Sequence, residues 1–283
     1  MGTSGQPFER NFAPSRETIW KKLARRRRGA EGKAGDNGGQ DPMNSRPCYF
    51  LPILMSISSL QSAEPRLGAH TLAFYHVGGG GPPAGLSTHP TDTQPSGSTI
   101  LALVARGRLA DFTPATAPAD NMGNPAAVQL GATQSYAPLW PRSGEALFAW
   151  ESATGGRGHV FHAPMPHPDE ITLAVVEVKH GGKIQDCQWR RAGKGRAHAT
   201  LAVTTTGPAV LVAFWLGDDG SGSVKAVPGN GFAVIDSQLV SSNAVETVVA
   251  AREVSAAGTY DVTWSATPVQ GAHLWLVAVQ GAE

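Results

Sequence analysis

Apolar residues in the body of the chain come in short bursts. Some alternate with polar residues, others run unbroken, and Gly, Pro, Asn and Asp clusters separate them. Alternation belongs to strands, whose successive side chains point to opposite faces. In Thr259–Ser265, Tyr260, Val262 and Trp264 alternate with Thr259, Asp261, Thr263 and Ser265. That spacing predicts one buried face of large side chains and one wet face. Ser98–Arg106 is apolar nearly throughout and predicts a central strand covered on both sides. Further strands are expected at Thr71–Val77, Ala146–Trp150, His159–Ala163, Ile171–Lys179, Thr200–Thr205, Val210–Leu216, Phe232–Val240, Val245–Val254 and His273–Gln280. Helical spacing is nowhere sustained, although Asn243–Val254 suits either period. Short strands at this density, without a short-period repeat, predict an all-β fold, a single jelly-roll-like or immunoglobulin-like β-sandwich over residues 64–283.

The N-terminal part follows a different pattern. Residues 1–42 carry no apolar periodicity beyond Ile19, Trp20 and Leu23, and they read as a disordered basic tail. Residues 43–63 combine Met43, Arg46, an apolar run from Cys48 to Leu60 and a small-residue end at Ser62-Ala63. Those are the three regions of a secretory signal peptide. A helix through the run reaches only about 20 Å, short of the ~30 Å hydrocarbon core, so a membrane span is not expected. On this reading translation starts at Met43, residues 1–42 reflect a misassigned gene start, and the exported chain begins near Glu64.

Charge reinforces the division. The formal net charge is +1, but residues 1–63 hold ten Lys or Arg against five acids. The remainder, with thirteen basic and seventeen acidic residues, carries −4. A mildly acidic body argues against duplex nucleic acid as a partner. Once residues 43–63 are removed, Cys187 stands alone, so no disulfide is expected to staple the domain.

Three segments of the C-terminal half have a familiar cast: Gly207-Pro-Ala-Val-Leu-Val-Ala-Phe-Trp215, Val227-Pro-Gly-Asn-Gly-Phe-Ala-Val-Ile-Asp236 and Ala257-Gly-Thr-Tyr-Asp-Val-Thr-Trp264. Over about residues 98–280 the chain resembles uncharacterised exported bacterial β-sandwich proteins. The resemblance implies a sandwich fold and a bacterial source. The group has no assigned activity, so it supplies no functional residue.

Candidate chemistry is sparse. His159 and His162 are three apart, which on a strand places them on opposite faces and prevents shared metal ligation. They read as surface histidines of an edge strand, with His167, Asp169 and Glu170 downstream. Asp120-Asn-Met-Gly-Asn124 lacks the later bidentate Glu of a calcium loop and reads as a turn with Gly123 at positive φ. Asp218-Asp-Gly-Ser-Gly222 reads as a flexible connection, and Gly78–Gly81 lacks the Lys-Ser/Thr of a phosphate loop. Carboxylate pairs for glycoside hydrolysis can be drawn among Glu145, Glu151, Glu170 and Glu177, but their separations are invisible in sequence. No catalytic constellation, metal site or cofactor is expected. Cys187 reads as an inert thiol.

One cluster stands out. Trp189, Arg190, Arg191, Lys194 and Arg196 place four of the body's thirteen cations within seven positions beside an indole. Aromatic faces flanked by cations suit sugar rings and acidic polymers, whereas the plain alternative is a solvated loop over a core tryptophan. Trp140 lies in a Pro-bounded segment and is a second candidate contact, whereas Trp150, Trp215, Trp264 and Trp275 lie within apolar runs and read as core. The expected function is an exported, non-catalytic module binding a glycan or partner surface, or serving in adhesion or assembly. The alternative is a secreted hydrolase or lyase on a jelly-roll scaffold. A groove with facing carboxylates or a His–Tyr–Arg group favours the enzyme; a flat face with an exposed tryptophan favours binding.

Overall fold

A computed structural model describes residues 63–76, 84–137, 140–217, 225–239, 245–267 and 271–281. The tail, nearly all of the signal-like segment, Gly78–Gly81 and Asp218–Gly222 lie outside the described residues. Within these bounds the protein is all β, without an α-helix. No helix there is long and apolar enough to cross a membrane.

The first half contains β1 (Arg66–Tyr75), β2 (Gly85–Ser87), β3 (Ser96–Arg106), β4 (Ala119–Asp120), β5 (Val128–Tyr136), β6 (Trp140–Thr154), β7 (Phe161–Pro164) and β8 (Ile171–Lys179). The second contains β9 (Gly181–Ala192), β10 (Ala197–Ala199), β11 (Val203–Thr205), β12 (Ala209–Gly217), β13 (Val227–Pro228), β14 (Ala233–Gln238), β15 (Glu246–Val254), β16 (Gly258–Tyr260), β17 (Thr263–Ser265) and β18 (Ala272–Gly281). A sharp connection joins the halves: His180, at φ +54°, turns the chain from β8 into Gly181.

Each half builds the same object. Two five-stranded antiparallel sheets run β1-β8-β3-β6-β5 and β9-β18-β12-β15-β14. Small outer sheets run β2-β7-β4 and β10-β17-β13, and the β11–β16 pair corresponds to the single Thr91–His159 bridge. This is jelly-roll strand order drawn twice, with the fifth strand of each unit attached to its large sheet. Register repeats too. Ala105 lies between Glu145 and Thr172, and Leu216 holds the same place between Thr247 and His273. One step along, Leu103 lies between Leu147 and Ala174, as Phe214 lies between Val249 and Trp275.

Apolar packing explains the unbroken strands. Leu101, Leu103, Leu147 and Val176 of one large sheet share a core with Val212, Phe214, Val249, Trp275 and Val277 of the other. The opposite face of the first sheet, with Ile100, Val104, Phe148 and Leu173, packs under Phe161 and Met165. That of the second, with Leu211, Trp215, Val248 and Leu276, packs under Val203, Val262 and Trp264. Both large sheets are therefore covered on both faces, so β3, β8, β12 and β18 have no face to leave polar.

Several expectations change in detail. Thr259–Ser265 keeps its predicted faces, with Val262 and Trp264 fully buried, but the pairing is divided between β16 and β17. β5 is a full strand where none was expected. β9 is the strand that carries Trp189 onto the core, as the plain reading of that segment had it, but it extends on through Arg190 and Arg191. β7 is the centre of its outer sheet rather than an edge, and His159 beside it is fully buried rather than on the surface.

Candidate functional site

A strand pair leaves Arg190 and Arg191 on opposite faces of β9, so the cation cluster divides. Arg190 turns to the outer layer and donates to the Ala199 carbonyl at 3.4 Å. Arg191 reaches across to the other half and donates to the Ala137 carbonyl at 2.8 Å. Lys194 and Arg196 are exposed between β9 and β10. Trp189 does not present its ring beside them. It is half-buried, packs on the core between the large sheets, and donates its Nε1–H to Glu145 Oε1 at 3.3 Å. Its period-two position turns it inward with Cys187, which makes the indole part of the seam rather than a surface platform. Trp140 opens β6, opposite Tyr136, and is 54% exposed.

The seam under Trp189 holds a buried polar group built from both halves. Glu145, 2% exposed, comes from the first half, and His273, fully buried, from the second. His273 Nδ1 lies 2.6 Å from both carboxylate oxygens. A carboxylate can only accept, so in a carboxylate–imidazole pairing Nδ1 is the donor. Trp275 Nε1 also donates to Glu145 Oε1, at 3.3 Å. Three donors thus converge on one carboxylate, the arrangement that makes a buried acid tolerable. The Trp189 ring meets His273 edge-on at 5.4 Å, and Tyr136 tilts against it at 4.9 Å. Tyr136 donates its hydroxyl proton to the Gly271 carbonyl. His273 Nε2 finds no hydrogen-bond partner among the described residues.

Above this group a cleft of about 190 Å³ opens at the edge of the seam. Tyr136 and Ala137 line it from the first half, and Arg191, Lys194, Gly271 and His273 from the second. Ligand sites favour such boundaries between packed units.

The repeated register supplies an internal control. At the positions corresponding to Glu145, His273, Arg191, Trp189 and Trp275, the other seam carries Thr247, Thr172, Phe74, Leu72 and Ala174. There Thr172 Oγ1 donates to the Val245 carbonyl at 2.9 Å. The topology and pairing are the same, without a charged group in any of the five places. The fold therefore does not demand a carboxylate, an imidazole and a guanidinium at the first seam.

Several of the remaining candidates make structural contacts. Glu177 is buried and accepts from Ala69 N, Gln94 N and Ser98 Oγ at 2.9, 2.7 and 2.6 Å. Glu151 is exposed and accepts from Ile184 N at 2.9 Å. His159 Nδ1 meets Thr93 Oγ1 at 2.9 Å, while His162 Nδ1 meets Ser87 Oγ at 3.0 Å. Burial holds His159 below the usual imidazole range against the opposing pull of Asp120, and burial lowers His198 as well. In the Asp120–Asn124 turn, Asp120 Oδ1 accepts from Met122 N at 2.7 Å and Gly123 takes φ +77°, as a turn requires. Burial, with Asp186 adjacent, pushes the Cys187 thiol up to about 12, far from a nucleophile. Among the described residues, no three His, Cys, Asp or Glu side chains gather as metal ligands.

In the sequence Glu145 is one of four interchangeable carboxylates and His273 a residue of an expected strand. The pair is separated by 128 positions, beyond any spacing rule. The available signal was local: an ionisable residue at the start of one apolar run, Glu145-Ala-Leu-Phe-Ala-Trp150, and another inside Ala272-His-Leu-Trp-Leu276. No protein-family model, curated protein or solved structure matches the chain.

Proposed function

We propose that this is an exported, non-catalytic glycan-binding module that takes a carboxylate-bearing sugar into the cleft at the seam. The observation carrying this reading is the convergence of Arg191 and Lys194 on a cleft whose floor is Tyr136 and His273. Arg presents a planar fork suited to a carboxylate, and Lys adds a mobile positive charge. A volume near 190 Å³ suits a small unit of a polymer better than an extended one. At the five corresponding positions the opposite seam carries no charged group. Its ion pairs Arg66–Glu253 and His70–Asp236 lie elsewhere along it, and that contrast supports placing function here.

The test is calorimetric titration with galacturonate against galactose, at two ionic strengths. The acid binds, the neutral sugar does not, and salt weakens the binding. Arg191→Glu and Lys194→Glu each reduce affinity about tenfold or more, in the range of a lost charge-assisted hydrogen bond. Equal binding of both sugars, or unaltered affinity in both variants, removes the reading.

Export is part of the same proposal and rests on the apolar run Cys48–Leu60 with its small-residue end at Ser62-Ala63. Secreted material is expected to have an intact mass that begins near Glu64. Retention of residues 1–60 in that material rejects it.

The enzyme reading retains one supporting observation, the His273–Tyr136–Arg191 group around the cleft. Binding is preferred because Glu145 occupies His273 Nδ1, Tyr136 donates to Gly271, and both rings are almost wholly buried. Products released from an acidic glycan by the parent, but not by His273→Gln, would reverse that preference.

A further inference from the structure

A second cavity, of about 390 Å³, is formed within the first half by three stretches of chain. They are residues 107–110 after β3, 141–142 at the start of β6, and Asp169 before β8. The stretches are tied to one another. Gly107 N donates to the Glu170 carbonyl at 3.0 Å, which joins the first to the third. Asp169 closes over Gly107 so tightly that an added Cβ would lie 2.6 Å from its carboxyl carbon. Leu109 fills the space that a side chain at Gly144 would need, which joins the first to the second. Behind them the buried Arg106 holds the chain that follows, donating to the Asp111 and Thr116 carbonyls at 3.0 and 2.7 Å. Walls fixed in this way spare a ligand the cost of ordering them.

Charge in the cavity is unevenly matched. Arg108 and Arg142 are both exposed there. Arg108 Nε lies 3.4 Å from Asp169 Oδ2, and Asp169 Oδ1 accepts from Glu170 N at 2.9 Å. One cation is therefore already paired. Arg142 has no ion-pair or hydrogen-bond partner among the described residues. Its planar guanidinium offers paired N–H donors that fit the two oxygens of a carboxylate. A phosphate monoester brings nearly two charges, and the second would meet Asp169 rather than another free cation. Leu109, Ala110 and Pro141 supply hydrocarbon surface in the same cavity. The lining thus matches a single negative charge joined to an apolar body.

We propose that this cavity binds a small monocarboxylic acid with a hydrocarbon body, its carboxylate on Arg142 and its body against Leu109, Ala110 and Pro141. The cavity shares no lining residue with the seam cleft, so this site and the acidic-sugar reading stand or fall separately.

Amide NMR of the intact, isotope-labelled protein titrated with phenylacetate tests this. Saturable shifts are expected at Gly107, Leu109, Ala110 and Arg142. Phenylethyl alcohol, which lacks the charge, is expected to bind at least about tenfold more weakly. Acetate, which lacks the ring, should show a loss of the same order. Arg142→Ala is expected to weaken phenylacetate binding about tenfold or more. That side chain is exposed and unpaired, so the variant should keep the parent's melting temperature, which is measured alongside. Asp169→Asn keeps the side chain's size and removes its charge, and should raise affinity for phenyl phosphate at least about tenfold. No saturable shift, or shifts confined to Gly193 and Gly271 of the seam cleft, overturns the proposal. So does equal binding of the alcohol and the acid, or an Arg142→Ala variant that binds like the parent. Tighter binding of phenyl phosphate than of phenylacetate by the parent overturns the assignment to a monocarboxylate.

Discussion

At the residue scale the informative group is the carboxylate of Glu145, sealed between two sheets with three N–H donors. Ionised groups rarely survive such burial unless every lone pair is occupied, and removing one partner leaves the other uncompensated. Glu145→Thr and His273→Thr import the residues that the opposite seam uses at the same register. Each single variant is expected to lose about 3–5 kcal/mol in urea unfolding. The double variant is expected to lose less than the two losses added, by more than about 1 kcal/mol, because it removes both halves of one interaction. Additive losses would mean that the pair shares no stabilisation. The seam cleft's Arg191 and Lys194 remain in all three variants, so galacturonate titration of the double variant also separates the role of the buried pair from that of the rim. What the sequence showed at this scale was the rim: Arg191 and Lys194 were visible as a local charge cluster. Glu145 and His273 were not, because their meeting depends on which strands face each other.

Elements were legible in proportion to how regularly they bury. Ile171–Lys179 was expected to be a strand and forms β8 at those limits, since eight of its nine residues are buried and nothing interrupts the run. β5 left a faint trace because it is an edge strand, paired only with β6, and its Val128 is 67% exposed. Its register also shifts between Leu130 and Gln134, so period two does not hold from end to end. β9 was masked in the same way. Ile184, Cys187 and Trp189 all pack on the inner core, although 184 and 187 are three apart. A bulge opposite Ala278–Val279 restores the face, and such an insertion erases simple alternation in the sequence. With the strand hidden, Arg190 and Arg191 read as neighbours in a loop, while the pleat sends them to different layers. The site reading changed with the element: one arginine serves the cleft and the other the outer sheet.

For the whole molecule, the sandwich was foreseeable and its duplication was not. Residue identities diverge between the halves, while strand order and register persist, and only three-dimensional pairing reveals the latter. The duplication carries a consequence for folding. Each half has an outer layer of its own, but the inner core is shared, with Leu101, Leu103, Leu147, Val176 and Val178 on one side and Val212, Phe214, Val249, Trp275 and Val277 on the other. Each such side chain contributes roughly 1.5–3 kcal/mol on burial. Baring five of them forfeits roughly 8–15 kcal/mol, which is comparable with the entire stability of a typical domain, about 5–15 kcal/mol. A chain divided between His180 and Gly181, where β8 turns into β9, should therefore give two fragments that do not fold separately as monomers. Mixed, they should recover a single cooperative thermal transition and the near-ultraviolet dichroism of packed Trp189 and Trp275. Sedimentation of each fragment alone, together with its urea unfolding, provides the check. A lone fragment that stays monomeric and unfolds cooperatively would show that one jelly roll suffices, and that the seam joins two independent domains rather than completing one core.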